Sequence, residues 1–276
     1  MSAHPIGSAT ISFGLVSVPI KLFSAGEPTA SVSFNWLHKT DGSRLKQQYF
    51  CPKDGEVVDK EGMIKGYEFT KGQYVKFTLE ELKALEERST GAIEVKEFLP
   101  AAQVDRIYLE KTYFLGPDKG GERAYRLLAE ALKKTERVAV GQYAARGKQY
   151  VIMIRPIGDR LAMEQLRYAN EVRSINDVPV GDVDVKPAEL NLAVQFIDQA
   201  ASDQFRPEAY EDHVRQRILE AIQKKVEGQE IVEAPEEAPK TQIIDLMEAL
   251  KASLAKGKEK EKEEKEERPA KKRARG

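Results

Sequence analysis

Lysine and arginine crowd the middle of this chain. Residues 106–173 hold 14 basic and 8 acidic side chains, a net charge of +6, within 276 residues whose formal total is -1. Guanidinium and ammonium groups at this density hold anionic oxygens. A local cluster, not the sum, sets the field that a phosphate meets. The flanks differ: residues 1–105 carry 12 basic and 14 acidic, 174–230 carry 6 and 12, and 231–255 carry 2 and 5. Residues 256–276 return to 10 basic and 6 acidic, and the end of the chain has Lys271, Lys272, Arg273 and Arg275 with no acid among them. This segmentation favours a polyanion as partner.

Other chemistries find no matching pattern. His4, His38 and His213 are far apart and form no zinc-ligand spacing. Cys51 is the only cysteine, which rules out an internal disulfide, fits a reducing compartment and lacks the CxxC context of an activated thiol. The set Gly116…Gly120-Gly121 is neither a Walker loop nor a dinucleotide fingerprint. Glu80, Glu81, Glu86 and Glu87 read as a solvated helix face, and no acid cluster of the kind a metal-dependent nuclease needs is evident. No catalytic residue, metal or cofactor is therefore expected. No run approaches the roughly 20 apolar residues of a membrane span, and Met1–Thr10 lacks the basic and apolar parts of a secretory signal. Membrane is excluded as a partner, and a cytoplasmic protein is expected.

The elements that must position the basic groups read as mainly β with α additions. Ala9, Ile11, Phe13 and Leu15 alternate with polar or small residues, as do Val32, Phe34 and Trp36, so both runs predict strands with one buried face. Phe13, Leu15, Phe34 and Trp36 are accordingly core candidates. Pro19 predicts an edge or a break. Asp41-Gly42, Asp54-Gly55 and Lys71-Gly72 predict turns, the last centred in a hairpin over Tyr67–Phe77. Thr78 with Glu81 is a capping box opening a short helix with Leu79, Leu82 and Leu85. Ile93, Val95 and Ile107–Leu115 return to strand. A helix is predicted from about Glu122 to Lys134 with Ala124, Leu127, Leu128 and Ala131 as its apolar face. Val138–Ala144 and Tyr150–Ile154 flank Arg146-Gly147 as another hairpin, and Leu161–Tyr168 is open between strand and helix. Pro187 starts a helix to about Ala201. Pro207 starts a second, with Tyr210, Val214, Ile218 and Ile222 on one stripe. Residues 229–240 read as a linker, Ile243, Met247, Leu250 and Leu254 as a short apolar stripe, and the Lys/Glu-rich end as disordered.

Several of these residues carry a family resemblance. Gly7-Ser8-Ala9-Thr10-Ile11-Ser12-Phe13-Gly14-Leu15-Val16-Ser17-Val18-Pro19-Ile20-Lys21-Leu22 closely resembles the opening of the bacterial Ku family. So do His38-Lys39-Thr40-Asp41-Gly42-Ser43-Arg44, Gly66-Tyr67-Glu68, the run Leu166–Arg173, and Ile244–Leu250. The resemblance spans about residues 5–230, with a family-like tail beyond. It implies a β-barrel with a bridge and a C-terminal helical arm, two copies forming a ring through which a DNA end threads. It also implies a role in non-homologous end joining and recruitment of ligase D. The implied divisions are a barrel and bridge body over 1–180, an arm over 181–228, a linker with a short helix over 229–255, and a tail over 256–276. This tail departs from the most lysine-rich versions by its glutamates.

A ring that accepts any end must hold phosphates, because base edges differ from end to end. On the resembled bridge the DNA-binding candidates are Lys39, Arg44, Lys46 and Lys53. In the basic middle they are Arg123, Arg126, Arg137, Arg146, Lys148, Arg155 and Arg160, and at the terminus Lys271, Lys272, Arg273 and Arg275. Arg167 and Arg173, near Glu164 and Glu171, read as structural. Tyr210, Val214, Ile218 and Ile222 are assigned to the homodimer interface, with packing inside one subunit as the alternative. Asp245, Leu246, Met247 and Leu250 are assigned to partner docking, with a marginal helix covering apolar surface as the alternative. Two rival functions stay open: a module that coats duplex without threading, and an enzyme.

Overall fold

A computed structural model describes residues 3–27, 32–88 and 90–228. Two units divide at Asp177 and Val178. In the first, β1 (Gly7–Phe13) and β2 (Val16–Ser24) form a hairpin. Its register sets Ile11 against Val18 and Ala9 against Ile20, all four buried. The remaining barrel strands are β7 (Ala92–Pro100), β8 (Leu109–Pro117), β9 (Arg137–Ala145), β10 (Lys148–Ile157) and β11 (Arg160–Leu166). They close a barrel in the order β1-β2-β8-β11-β10-β9-β7. The closing pair, β7 with β1, is parallel, and Ile93 lies beside Ile11. Closure gives each of the seven barrel strands a paired neighbour on both sides, so the barrel lacks the long open edges of a flat sheet.

The interior is aliphatic: Ile11, Ile20, Ile93, Ile152, Ile154 and Leu161 are essentially inaccessible. Helix α2 (Glu122–Thr135) adds Tyr125, Leu128, Ala129 and Leu132 to this core. The Tyr125 hydroxyl donates to the Leu115 carbonyl (2.6 Å) and accepts from the Leu161 N–H (2.8 Å), which ties α2 to two strands. A second cluster sets the strand residues Val138, Met153 and Leu166 against Leu99, Val104 and Tyr108.

Between β2 and β7 the chain makes a long excursion. It holds β3 (Tyr49–Phe50) paired with β4 (Val57–Val58), β5 (Lys65–Thr70) paired with β6 (Gln73–Phe77), and α1 (Leu79–Leu85). The capping box at Thr78 is present in full, and Gly42, Gly55 and Gly72 take positive φ at the predicted turns. No described residue from 32 to 90 is buried. The second unit contains α3 (Pro187–Ala200) and α4 (His213–Val226), neither of which buries a residue within the single chain. Among the described residues no helix is long and apolar enough to cross a membrane.

Five expectations are corrected. Residues 32–36 form no strand. Their only bridge nearby is Leu37 with Arg44, and alternation without a partner ladder cannot hold a strand. Leu15, Phe34 and Trp36 are therefore not core. Phe34 and Trp36 are 72% and 81% exposed, and Leu15 sits fully exposed at the hairpin tip because Phe13–Val16 is the last pair. Pro19 marks neither edge nor break: β2 is continuous, and the Pro19 carbonyl accepts from Asp118 N–H at the end of the β8 ladder, where a missing donor costs little. The apolar face of α2 is as predicted at Leu128 and, half-buried, at Ala124, but Leu127 and Ala131 are exposed and Tyr125, Ala129 and Leu132 are buried instead. Tyr125, bonded at its hydroxyl, turns the helix away from the all-aliphatic face. Pro207 opens only a 3-10 turn to Ala209. Helix α4 begins after Asp212, whose carboxylate caps the Arg215 N–H, so Tyr210 lies outside the helix and its four-residue spacing is coincidental. The open segment from Leu161 is strand to Leu166.

Candidate nucleic-acid interface

The clearest exposed cations stand on the β9–β10 hairpin. Ala145 pairs with Lys148, leaving Arg146 and Gly147 as a two-residue turn with φ of 52° and 77°. Successive positive φ is the geometry that matches strand twist in a tight hairpin. The turn is held from one side by the end of α1. Glu87 N–H donates to the Gly147 carbonyl at 3.1 Å, and the Glu86 side chain lies over Gly147. Arg146 and Lys148 are exposed and make no ion pair among the described residues.

The other basic candidates divide by what they touch. Arg155 is committed to the protein: its Nε donates to Glu164 at 2.7 Å. Glu164 is only 4% exposed and its second oxygen has no partner. A buried carboxylate needs this guanidinium. Arg137 donates to the Phe98 carbonyl at 2.9 Å. Arg160 lies 3.8 Å from Asp159, a loose and exposed pair. Arg123 and Arg126 stand on the exposed side of α2. Lys39, Arg44, Lys46 and Lys53 are exposed on the excursion, without ion pairs among the described residues. Asp41 and Asp54 organise the turns beside them. Each accepts a backbone N–H, from Ser43 and Glu56 respectively, and this holds both carboxyls below their ordinary range.

Arg167 is structural as expected, donating to the Ile107 and Leu109 carbonyls. The proposed carboxylate partners differ: Glu164 serves Arg155, and Glu171 accepts from the Tyr168 N–H. Arg173 makes no ion pair among the described residues. Tyr210, Val214 and Ile222 are exposed and Ile218 is half-buried. Asp245, Leu246, Met247, Leu250, Lys271, Lys272, Arg273 and Arg275 lie outside the described residues.

Sequence reasoning missed one cluster. Tyr113, Tyr143 and Tyr150 line a cavity at one mouth of the barrel, with Arg146 at its rim. Tyr143 and Tyr150 are cross-strand partners, which a hairpin centred on Arg146-Gly147 already implies. Burial, together with the neighbouring Tyr113 and Tyr150 phenols, pushes the Tyr143 hydroxyl above its ordinary pKa. Among the described residues no group of three or more His, Cys, Asp or Glu is placed to hold a metal ion.

Comparison with known proteins gives one answer. The family model described as the Ku70/Ku80 beta-barrel domain matches residues 12–192. A Paraburkholderia phymatum protein named non-homologous end joining protein Ku is 45% identical over 93% of this chain and 84% of its own length. Proteins of the same name from Heliobacterium modesticaldum and Bacillus subtilis are 40% and 37% identical. They cover 92% and 91% of this chain and 92% and 81% of their own lengths.

Proposed function

Because this chain belongs to the Ku family, we propose that it binds the ends of double-stranded DNA without reading their sequence and acts in non-homologous end joining. The observation that carries this reading is the closed barrel, matched by the family model over 12–192, with the excursion inserted between β2 and β7. Phosphate contacts supply the affinity, from Arg146 and Lys148 on the barrel hairpin and from Lys39, Arg44, Lys46 and Lys53 on the excursion. Arg123, Arg126 and Arg160 are secondary candidates. Arg137 and Arg155 act first on the protein itself. The chain holds DNA and performs no chemistry on it.

The working form is a homodimeric ring. Exposed apolar side chains support this: Phe34, Trp36, Tyr49, Phe50 and Tyr67 on the excursion, and Val214 and Ile222 on α4. Covering one such side chain contributes about 1.5–3 kcal/mol. A handful on each copy is of the same order as the association cost of about 4–15 kcal/mol. The segment with Asp245, Leu246, Met247 and Leu250 docks ligase D, and the basic end adds weak phosphate contacts.

The test is competition between linear duplex and covalently closed circular duplex of equal length. Enclosure predicts that the circle competes poorly, whereas equal competition would replace the ring by a module that coats DNA.

A further inference from the structure

The excursion touches the barrel lightly. Among the described residues 32–88 none is buried, and a single hydrogen bond reaches the barrel, from the Glu87 N–H to the Gly147 carbonyl at 3.1 Å. The contact suits one residue type. Gly147 takes a φ of 77°, and a Cβ there would lie 2.6 Å from Glu86 Cδ and 2.7 Å from Glu86 Cγ and Oε2. Any side chain at 147 would have to push Glu86 away, so glycine lets the end of α1 seat on the turn. Beside it Arg146 holds a φ of 52°, a conformation that non-glycine residues rarely adopt. The turn thus keeps a guanidinium where asparagine would sit more easily. The path from this contact into the excursion is short and ordered. Glu86 ends α1 in an extended conformation (φ -69°, ψ 141°), the capping box of Thr78 and Glu81 opens the helix, and Thr78 follows directly on β6. The hydrogen-bonded anchor of the excursion therefore lies between Arg146 and Lys148, both exposed and without an ion pair among the described residues.

We propose that Glu86 and Glu87 are positioning residues for DNA binding. They clasp the excursion to the Arg146–Lys148 turn, so that the cations of both parts meet the duplex backbone as one preset array. The inference rests on the DNA-end reading above. Both residues are acids and make no phosphate contact themselves. Their effect is to spare the ordering cost that a loose excursion would add to binding. Linkage makes the effect reciprocal: if the closed clasp favours DNA by some factor, bound DNA favours the closed clasp by the same factor.

The experiment uses the full chain and Glu87→Pro. Proline removes the N–H donor and requires an extended residue before it, which Glu86 already is. Every cation stays, so the salt slope of affinity for a short linear duplex should match wild type. Affinity itself should fall about two- to ten-fold at each salt concentration, the worth of one hydrogen bond. A second measurement needs only the wild type and decides the matter even if the variant folds poorly. Amide hydrogen exchange at Glu87 should slow by that same factor of about two to ten when linear duplex is added to saturation. Wild-type affinity in a folded variant, a slope that falls with the affinity, or Glu87 exchange indifferent to duplex would overturn the clasp while leaving end binding intact. Failure of the wild type to bind linear duplex would overturn both.

Discussion

Replacing Arg146 and Lys148 by alanine tests how this protein holds DNA. Both side chains are exposed and unpaired among the described residues, so their removal leaves no protein charge without a partner. Arg146 already carries a Cβ at φ 52°, so alanine adds no new backbone strain and the hairpin should stay in register. If each cation neutralises one phosphate, a subunit loses two contacts and a homodimer four. The slope of log affinity against log salt changes by about 0.9 for each phosphate contact on duplex DNA. The double variant should therefore lower the slope by about 3.6 for the dimer. Fluorescence anisotropy with a short linear duplex between about 50 and 200 mM salt measures this. Thermal melting should be unchanged within a degree or two. A wild-type slope in a folded variant would remove both residues from the phosphate-contacting set.

Three further outcomes are expected. Arg155→Ala should destabilise the barrel by about 2–4 kcal/mol, because it strands the buried Glu164 carboxylate. Adding Glu164→Met should recover most of the loss in chemical denaturation, and no recovery would mean that the pair is not the cause. Gly141→Ala should cost about 3 kcal/mol or more, since its Cβ would lie 2.1 Å from the Glu94 carbonyl oxygen, where β7 slips register against β9. Soluble variant with a wild-type melting temperature would contradict this packing. Trp36 is the only tryptophan and is 81% exposed in one chain. If dimerisation covers the excursion, its emission should shift to the red on dilution below the dimer's dissociation constant. A concentration-independent, water-like spectrum would place Trp36 outside any interface.

Much of the architecture was legible from local pattern. The turns at Gly42, Gly55, Gly72 and Arg146-Gly147 follow from backbone permissiveness and chain reversal, which need no distant partner. The capping box at Thr78 and Glu81 is satisfied within four residues. The motif-level resemblance to Ku is also a property of residue order, and the family model and relatives agree with it.

The remaining features depend on residues far apart in sequence. Phe34 and Trp36 alternate like a strand, yet a strand exists only where a partner supplies a ladder, and none does there. The inward face of α2 was decided by Tyr125 reaching Leu115 and Leu161. Arg155 looked interchangeable with Arg146 as a surface cation until folding placed Glu164 beside it. Spacing along the chain thus determined where it turns, caps and alternates, because those preferences are settled within a few residues. Which cations are spent on the protein and which stay exposed without an ion pair was decided only by the tertiary structure. Ion pairing acts through space, and cross-strand register sets which side chains meet.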